Sequence, residues 1–211
     1  MQRHAMASRA ALLAAALLAA APAVADPQPA PGDRWLYRGT YRDMATPGAP
    51  TRTRLVRVAV QGTNVLGKPI LGGDILGFGM HSDTCLVDVL ASEELAGEVA
   101  CGAPLAAGRR WHGSDAGRFR DLEQWFDVTG TEPVEVDGAT HVATVIRTSR
   151  LVFPPSPRIA SRRSTYHYVP ALKGMTSIVH ELLDQEGAVQ LHESMQMLRF
   201  TPAGQAAPDG P

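Results

Sequence analysis

The sequence predicts an all-β chain built on one antiparallel sheet, with at most one or two short helices. Three observations predict it. Apolar and polar residues alternate in short runs over most of the chain, 20 glycines and 16 prolines punctuate those runs, and few stretches beyond residue 25 carry a helical period. A sheet of this pattern has one apolar face and one polar face.

Residues 1–25 have the layout of an export signal. Arg3, His4 and Arg9 form a short positive start, Ala10 to Ala21 an apolar run, and Ala23-Val24-Ala25 a small-residue cleavage site. The apolar run is too short to span a bilayer, which takes about 20 residues. No Cys stands beside the cleavage site, which argues against a lipid anchor, and no Arg-Arg pair precedes the run. The expectation is a Sec-type signal cleaved near Ala25 and a periplasmic or secreted product. No later stretch approaches spanning length.

Cleavage leaves 186 of the 211 residues, enough for one domain with a core. It also removes Arg3 and Arg9, so 18 of the 20 basic residues remain against 21 acidic ones. A net charge that mild does not suggest nucleic acid or an anionic membrane surface as partner. The arginines are scattered and read as solvated surface. Asp26 to Pro31 reads as a flexible lead-in, 32–200 as a single β-rich domain, and 201–211 as a disordered tail.

Strands are expected, in order, at Arg34–Asp43, Thr51–Gln61, Val65–Leu71, Thr84–Leu90, Arg118–Val128, Pro133–Val136, Ala139–Val152, Arg162–Val169, Met175–Leu183 and Ala188–Phe200. Each is an alternating or β-branched run bounded by turn residues. Ser92–Ala96 suits one helical turn, with Ser92 as cap and two glutamates behind it. Pro154-Pro155-Ser156-Pro157 is a linker within the domain, because strand patterns continue beyond it.

Two hairpins are legible. Asp137-Gly138 between alternating runs favours a type I′ turn. A second turn at Glu186-Gly187, read as a two-residue loop, sets Gln185 opposite Ala188. That register pairs Leu182 with Leu191, His180 with Glu193, Ile178 with Met195 and Thr176 with Met197 on an apolar face. The other face pairs Leu183 with Gln190, Glu181 with His192, Val179 with Ser194 and Ser177 with Gln196. His180 and Glu193 then admit two readings: a satisfied polar pair that fixes register, or an acid/base or ligand contact in a cavity.

The only cysteines, Cys85 and Cys101, both lie in the exported part, with 15 residues between them. In an oxidising compartment they are expected to form a disulfide, worth about 3 kcal/mol for a loop of that length. The alternative is a metal site using His81, Asp83 and His112, but no tight metal-ligand spacing is present. The glycine-rich run Leu71 to Gly79 lacks the Lys-Ser/Thr ending of a phosphate loop. Ser114, in His112 to Gly117, does not make a nucleophile elbow and suits a turn. Met175, Met195 and Met197 admit copper ligation but suit packing better. No cofactor is expected, and nothing nominates an enzyme.

Two segments carry a family likeness. Val128-Thr-Gly130-Thr-Glu132-Pro-Val134-Glu-Val136-Asp-Gly138, with Ala143 and Ile146, is one. Thr165 to Pro170 with Gly174 is the other, and Trp35 to Tyr37 after Pro31-Gly32-Asp33 supports them. They resemble a group of uncharacterised exported bacterial proteins similar to the LolA-like lipoprotein carriers. His167 departs from the usual Trp of that group, and 62–117 has no counterpart in the motifs. The resemblance implies a strongly curved sheet, a half-barrel around an apolar cavity, and it implies no catalytic residue.

The functional expectation is a non-enzymatic periplasmic protein that binds or carries an apolar ligand or acyl chain, from a lipid or a lipoprotein, in the concave face. Ile178, His180, Leu182, Leu191, Glu193, Met195 and Met197 would line it, with Tyr166 and Tyr168 at one edge. A closed, solid core would use the same residues. A different class of function is an envelope interaction module docking through Trp111, Phe119, Trp125 and Phe126.

Overall fold

The computed structural model describes residues 29–63, 69–73, 80–81, 85–87, 98–101, 105–114, 123–151 and 158–206. The leader, the turn expected at Ser92–Ala96 and the Pro154 to Pro157 linker lie outside the described residues. No described helix is long and apolar enough to cross a membrane.

Twelve strands are described: β1 (Arg34–Asp43), β2 (Arg52–Thr63), β3 (Pro69–Gly73), β4 (Met80–His81), β5 (Cys85–Val87), β6 (Glu98–Cys101), β7 (Arg110–Ser114), β8 (Glu123–Val136), β9 (Ala139–Leu151), β10 (Ser161–Val169), β11 (Gly174–Leu183) and β12 (Val189–Thr201). A single 3-10 turn, Pro170–Leu172, joins β10 to β11. Ten strands make one open antiparallel sheet in the order β4-β3-β2-β1-β12-β11-β10-β9-β8-β7, while β5 and β6 pair separately. The chain is nearly all β, as its alternation predicts.

The sheet is rolled. Three strands separate β8 from β12, which would hold them about 19 Å apart in a flat sheet at roughly 4.8 Å per strand. Their Cα atoms instead approach within 8 Å, and Arg199 Nε on β12 lies 3.7 Å from Asp137 Oδ2 at the β8–β9 turn. Register shifts at Leu36/Tyr37, Val60/Gly62, Val128/Gly130, His167/Tyr168 and Leu182/Leu183 supply the bends, because an extra residue on one strand increases local twist. The product is a half-barrel whose concave side holds one core. That core joins Trp35, Tyr37, Val56 and Val58 to Phe126, Ile146, Tyr166, Ile178, Met195 and Met197.

Several boundaries differ from the sequence expectation. Arg118–Val128 and Pro133–Val136 are not two strands: β8 runs unbroken through Thr129–Glu132, with Gly130 taken up as a bulge. Ser114 ends strand β7 instead of making a turn. Asp137-Gly138 is the two-residue turn expected, with φ of 50° and 76° and Val136 opposite Ala139. The second hairpin is not a two-residue loop. Asp184 N bonds Ala188 O, leaving Gln185-Glu186-Gly187 as a three-residue loop whose Gly187 takes φ +83°. Leu183 therefore faces Val189, not Gln190, and the extra residue is absorbed by a bulge. Beyond that bulge the expected register returns, from Leu182/Leu191 to Ser177/Gln196, with His180 opposite Glu193. The β11–β12 ladder ends at Ser177/Gln196, so it does not include the expected Thr176/Met197 pair.

The chain before β1 and the chain after β12 meet at Asp33. Its carboxylate accepts hydrogen bonds from Ala30 N (2.7 Å), Ala203 N (2.9 Å) and Lys173 Nζ (2.8 Å) and is closed to solvent. Ala30 and Ala203, assigned by composition to a flexible lead-in and a tail, are thus tied to the same side chain. Beside it Trp35 stacks on Phe200 at 5.6 Å and donates Nε1–H to Leu172 O at 2.9 Å. Gly174 makes room for that indole, since a Cβ there would stand 3.2 Å from Trp35 Nε1.

Burial by itself would raise the Asp33 pKa, but the bonds from Lys173, Ala30 and Ala203 and the Lys173 charge outweigh it and hold the carboxyl below its ordinary value. A folded-state pKa below the unfolded one stabilises at pH above about 4 and loses that stabilisation as pH falls through the folded value. Asp33→Ala is expected to cost about 1–3 kcal/mol at neutral pH. Urea midpoints measured from pH 7 to pH 3 should also fall less steeply in the variant than in the parent.

Candidate functional site

On each long strand, every second residue points into the roll, and cross-strand pairing arranges these residues in rows. One row joins Tyr166, Ile178 and Met195 on β10, β11 and β12. These three are at most 1 % exposed, as is Met197, and Tyr37 and Tyr168 are 3 % exposed. This stretch of the concave face is filled by the protein's own side chains.

The next row is polar. Ser164 on β10 faces His180 on β11, His180 faces Glu193 on β12, and Glu193 faces Tyr41 on β1, which in turn faces Arg52 on β2. His180 Nδ1 pairs with Ser164 Oγ at 2.8 Å, and the imidazole meets the Tyr166 ring edge-on at 5.8 Å. Both His180 and Ser164 are buried. The Ser164 hydroxyl satisfies one ring nitrogen of this buried imidazole, a contact that holds register.

The following row joins Arg162, Leu182, Leu191 and Asp43. Arg162 is 1 % exposed, with Tyr166 Oη among its partners, 3.4 Å from Nη2. A guanidinium so enclosed needs acceptors for its donors, and the Tyr166 hydroxyl is one of them. Asp43 is half-buried and pairs with Arg158 at 2.6 Å, and that bond, outweighing desolvation, holds its pKa below the ordinary value.

On β12 and β1, though not on β10, exposure rises along the face toward this end. On β12 the inner positions pass from buried Met197 and Met195 to half-buried Glu193 and Leu191, and on β1 from buried Tyr37 to Tyr41, 38 % exposed. A depression of about 340 Å³ opens there, lined by Gly39, Thr40, Tyr41, Arg52, Thr53, Arg54 and Glu193. That volume is at the lower end of the range of small-molecule sites.

The sequence-derived candidates therefore divide. Ile178, His180, Met195, Met197, Tyr166 and Tyr168 are enclosed in the packed part, while Leu182, Leu191 and Glu193 stand half-buried toward the open end. Tyr41, Arg52, Arg54 and Arg162 were missed. The signal for three of them was available: Arg52 and Arg54 share parity with Val56 and Val58, and Arg162 shares it with Tyr166. Met175, like Met195 and Met197, belongs to the core.

The docking patch is corrected at Phe126, which is 1 % exposed and packed in the core. Phe119 lies outside the described residues, and Trp111 and Trp125 are placed only as backbone on β7 and β8. For the metal alternative, His81 on β4 and His112 on β7 sit at the two ends of the sheet order, and Asp83 lies outside the described residues. Among the described residues no group of three or more His, Cys, Asp or Glu side chains gathers. Cys85 and Cys101 face each other in the β5–β6 backbone register.

No family model matches the chain, and no curated protein does. Among solved structures it is similar to the hypothetical lipoprotein YmcC of Escherichia coli, with TM-score 0.39, 12 % identity, and coverage of 79 % of this chain and 85 % of that one. A Bacteroides fragilis protein described as exported and YmcC-like in fold gives TM-score 0.42 and 12 % identity, over 82 % of this chain and 98 % of the other. A LolA superfamily protein of Nitrosomonas europaea gives 0.32 and 13 %, over 88 % and 92 %. These neighbours are of the kind that the sequence motifs resemble.

The division of the face into packed and open parts has a measurable consequence. Met195→Ala should cost about 2–5 kcal/mol by leaving a cavity. Leu191→Ala, at a half-buried position, should cost less than half as much in the same urea titration. Equal losses would mean that the face is solid to its rim.

Proposed function

We propose that the chain is a non-enzymatic protein of the bacterial envelope, periplasmic or secreted after cleavage near Ala25, that takes an apolar group or acyl chain into the open end of its concave face. The chain would come from a lipid or a lipoprotein. The observation that carries this reading is the stepwise exposure of one inner face, from buried Met195 and Tyr37 to half-buried Leu191 and exposed Tyr41 beside a depression. Leu182 and Leu191 offer the first apolar contacts. Ile178, Met195, Met197, Tyr166 and Tyr168 stand behind them, and the unbranched methionines are the side chains best able to shift for an entering chain. His180 and Glu193 form the polar border of the path.

Native mass spectrometry of the protein purified from a bacterial host is expected to show a co-purifying lipid, and a fluorescent fatty acid is expected to bind saturably. Leu191→Asp, which puts a charge in the path, should weaken that binding at least about tenfold. A parent protein that carries no lipid and shows no saturable binding overturns the reading.

The same compartment implies that Cys85 and Cys101 are joined, a proposal supported by their opposed backbone positions. The unreduced protein should then weigh about 2 Da less than the reduced one, and reduction should cost up to about 3 kcal/mol of stability. Two thiols titrating in the denatured, unreduced protein would rule the bond out.

A further inference from the structure

The depression at the start of β2 has a feature that an apolar-chain carrier does not require. Along β2 the inward parity reads Val60, Val58, Val56 and then Arg54 and Arg52. The three valines are buried in the core, and the two arginines are exposed at the mouth, where they line the depression. Two cations thus occupy the strand positions that elsewhere face the core.

The floor beneath them is backbone. Arg54 is opposite Gly39, and a Cβ on Gly39 would lie 3.5 Å from Arg54 Cγ and 3.7 Å from its Nε. The arginine stem therefore lies across Gly39, at a point where any other residue would fill part of the hollow. Arg52 is opposite Tyr41, which forms the neighbouring wall. Among the described residues neither Arg52 nor Arg54 has an ion pair or a hydrogen bond, in contrast to Arg158 and Arg163, which are paired with Asp43 and Glu181. Among the described residues Glu193 is the one carboxylate in the lining, and its charge directs an incoming anion toward the β2 side.

We infer that Arg52 and Arg54 form a subsite for the carboxylate or phosphate headgroup of an amphiphile whose apolar chain runs along Leu191 and Leu182. The inference rests on the carrier reading and adds the headgroup chemistry to it. Alternate residues on a strand lie about 6.6 Å apart, so two guanidinium groups can converge on one anion. Each presents a planar fork of donors matched to carboxylate and phosphate oxygens.

The test compares oleate with oleyl alcohol, which has the same chain without the charge, on the parent and on an Arg52→Gln/Arg54→Gln variant. Inorganic phosphate alone is a third ligand, and an unchanged urea midpoint confirms that the variant is folded. The parent is expected to bind oleate about 10–100-fold more tightly than the alcohol, the range for one or two charged hydrogen bonds. The variant should lose that preference while binding the alcohol as the parent does. Unchanged oleate affinity in the variant overturns the subsite and leaves the carrier reading standing. A parent that binds neither oleate nor the alcohol overturns both. Arginine-dependent binding of phosphate without binding of oleate assigns the depression to a small free anion and overturns the amphiphile.

Discussion

The pairing of β1 with β12 is the contact on which the sheet depends. Strands β1 to β4 form one meander and β7 to β12 another, and among the described residues the only ladder that joins them is the one from Arg34/Thr201 to Asp43/Leu191. Its residues are the most distant in sequence, so closing it carries the largest loop entropy of any pairing in the sheet. What offsets that cost is gathered at one end of the ladder: the stacked Trp35 and Phe200, the indole bond to Leu172 O, and the buried carboxylate of Asp33 holding Ala30, Lys173 and Ala203. Without this seam Val56 and Val58 would have no wall of Met195 and Met197 to pack beside, and each meander would expose its apolar face.

The same seam explains why the two ends of the roll differ. At the Trp35 end, large side chains, the 3-10 turn and the Asp33 cluster close the concave side. At the Asp43 end the facing residues are a glycine, a tyrosine at the rim, two arginines and half-buried leucines, which do not fill the space between the strands. A curved sheet with one plugged end and one open end presents a path lined first by the half-buried leucines, then by the polar row, then by core. The polar row of Ser164, His180 and Glu193 crosses that path. Its buried members constrain register, since a one-residue slip would put an unsatisfied imidazole among apolar neighbours.

Local signals made much of the fold legible. Alternation located β1, β9, β10, β11 and β12 to within one residue at each end, and Asp137-Gly138 fixed its turn because few dipeptides accept two positive φ angles. The failures have a common cause. Gly130 looked like a break and Glu186-Gly187 like a two-residue turn because a bulge and a three-residue loop carry no signature separate from those of ordinary turns. The short strands β4, β6 and β7 were missed for want of enough residues to show a period. Phe126 was placed on a surface because alternation identifies two faces but does not say which of them a second layer of chain will cover.

By itself the sequence determined the strand content, the parity of each strand and the register of the β11–β12 hairpin beyond its bulge, since all three follow from contacts between residues near one another along the chain. The curvature, the ladder between the first and last strands and the difference between the filled and open ends came only from tertiary structure. They depend on where bulges bend a strand and on which distant side chains then meet. That is why Met195 and Leu191, alike in pattern, have different surroundings, and why two arginines in phase with a row of core valines stand at the rim of a hollow.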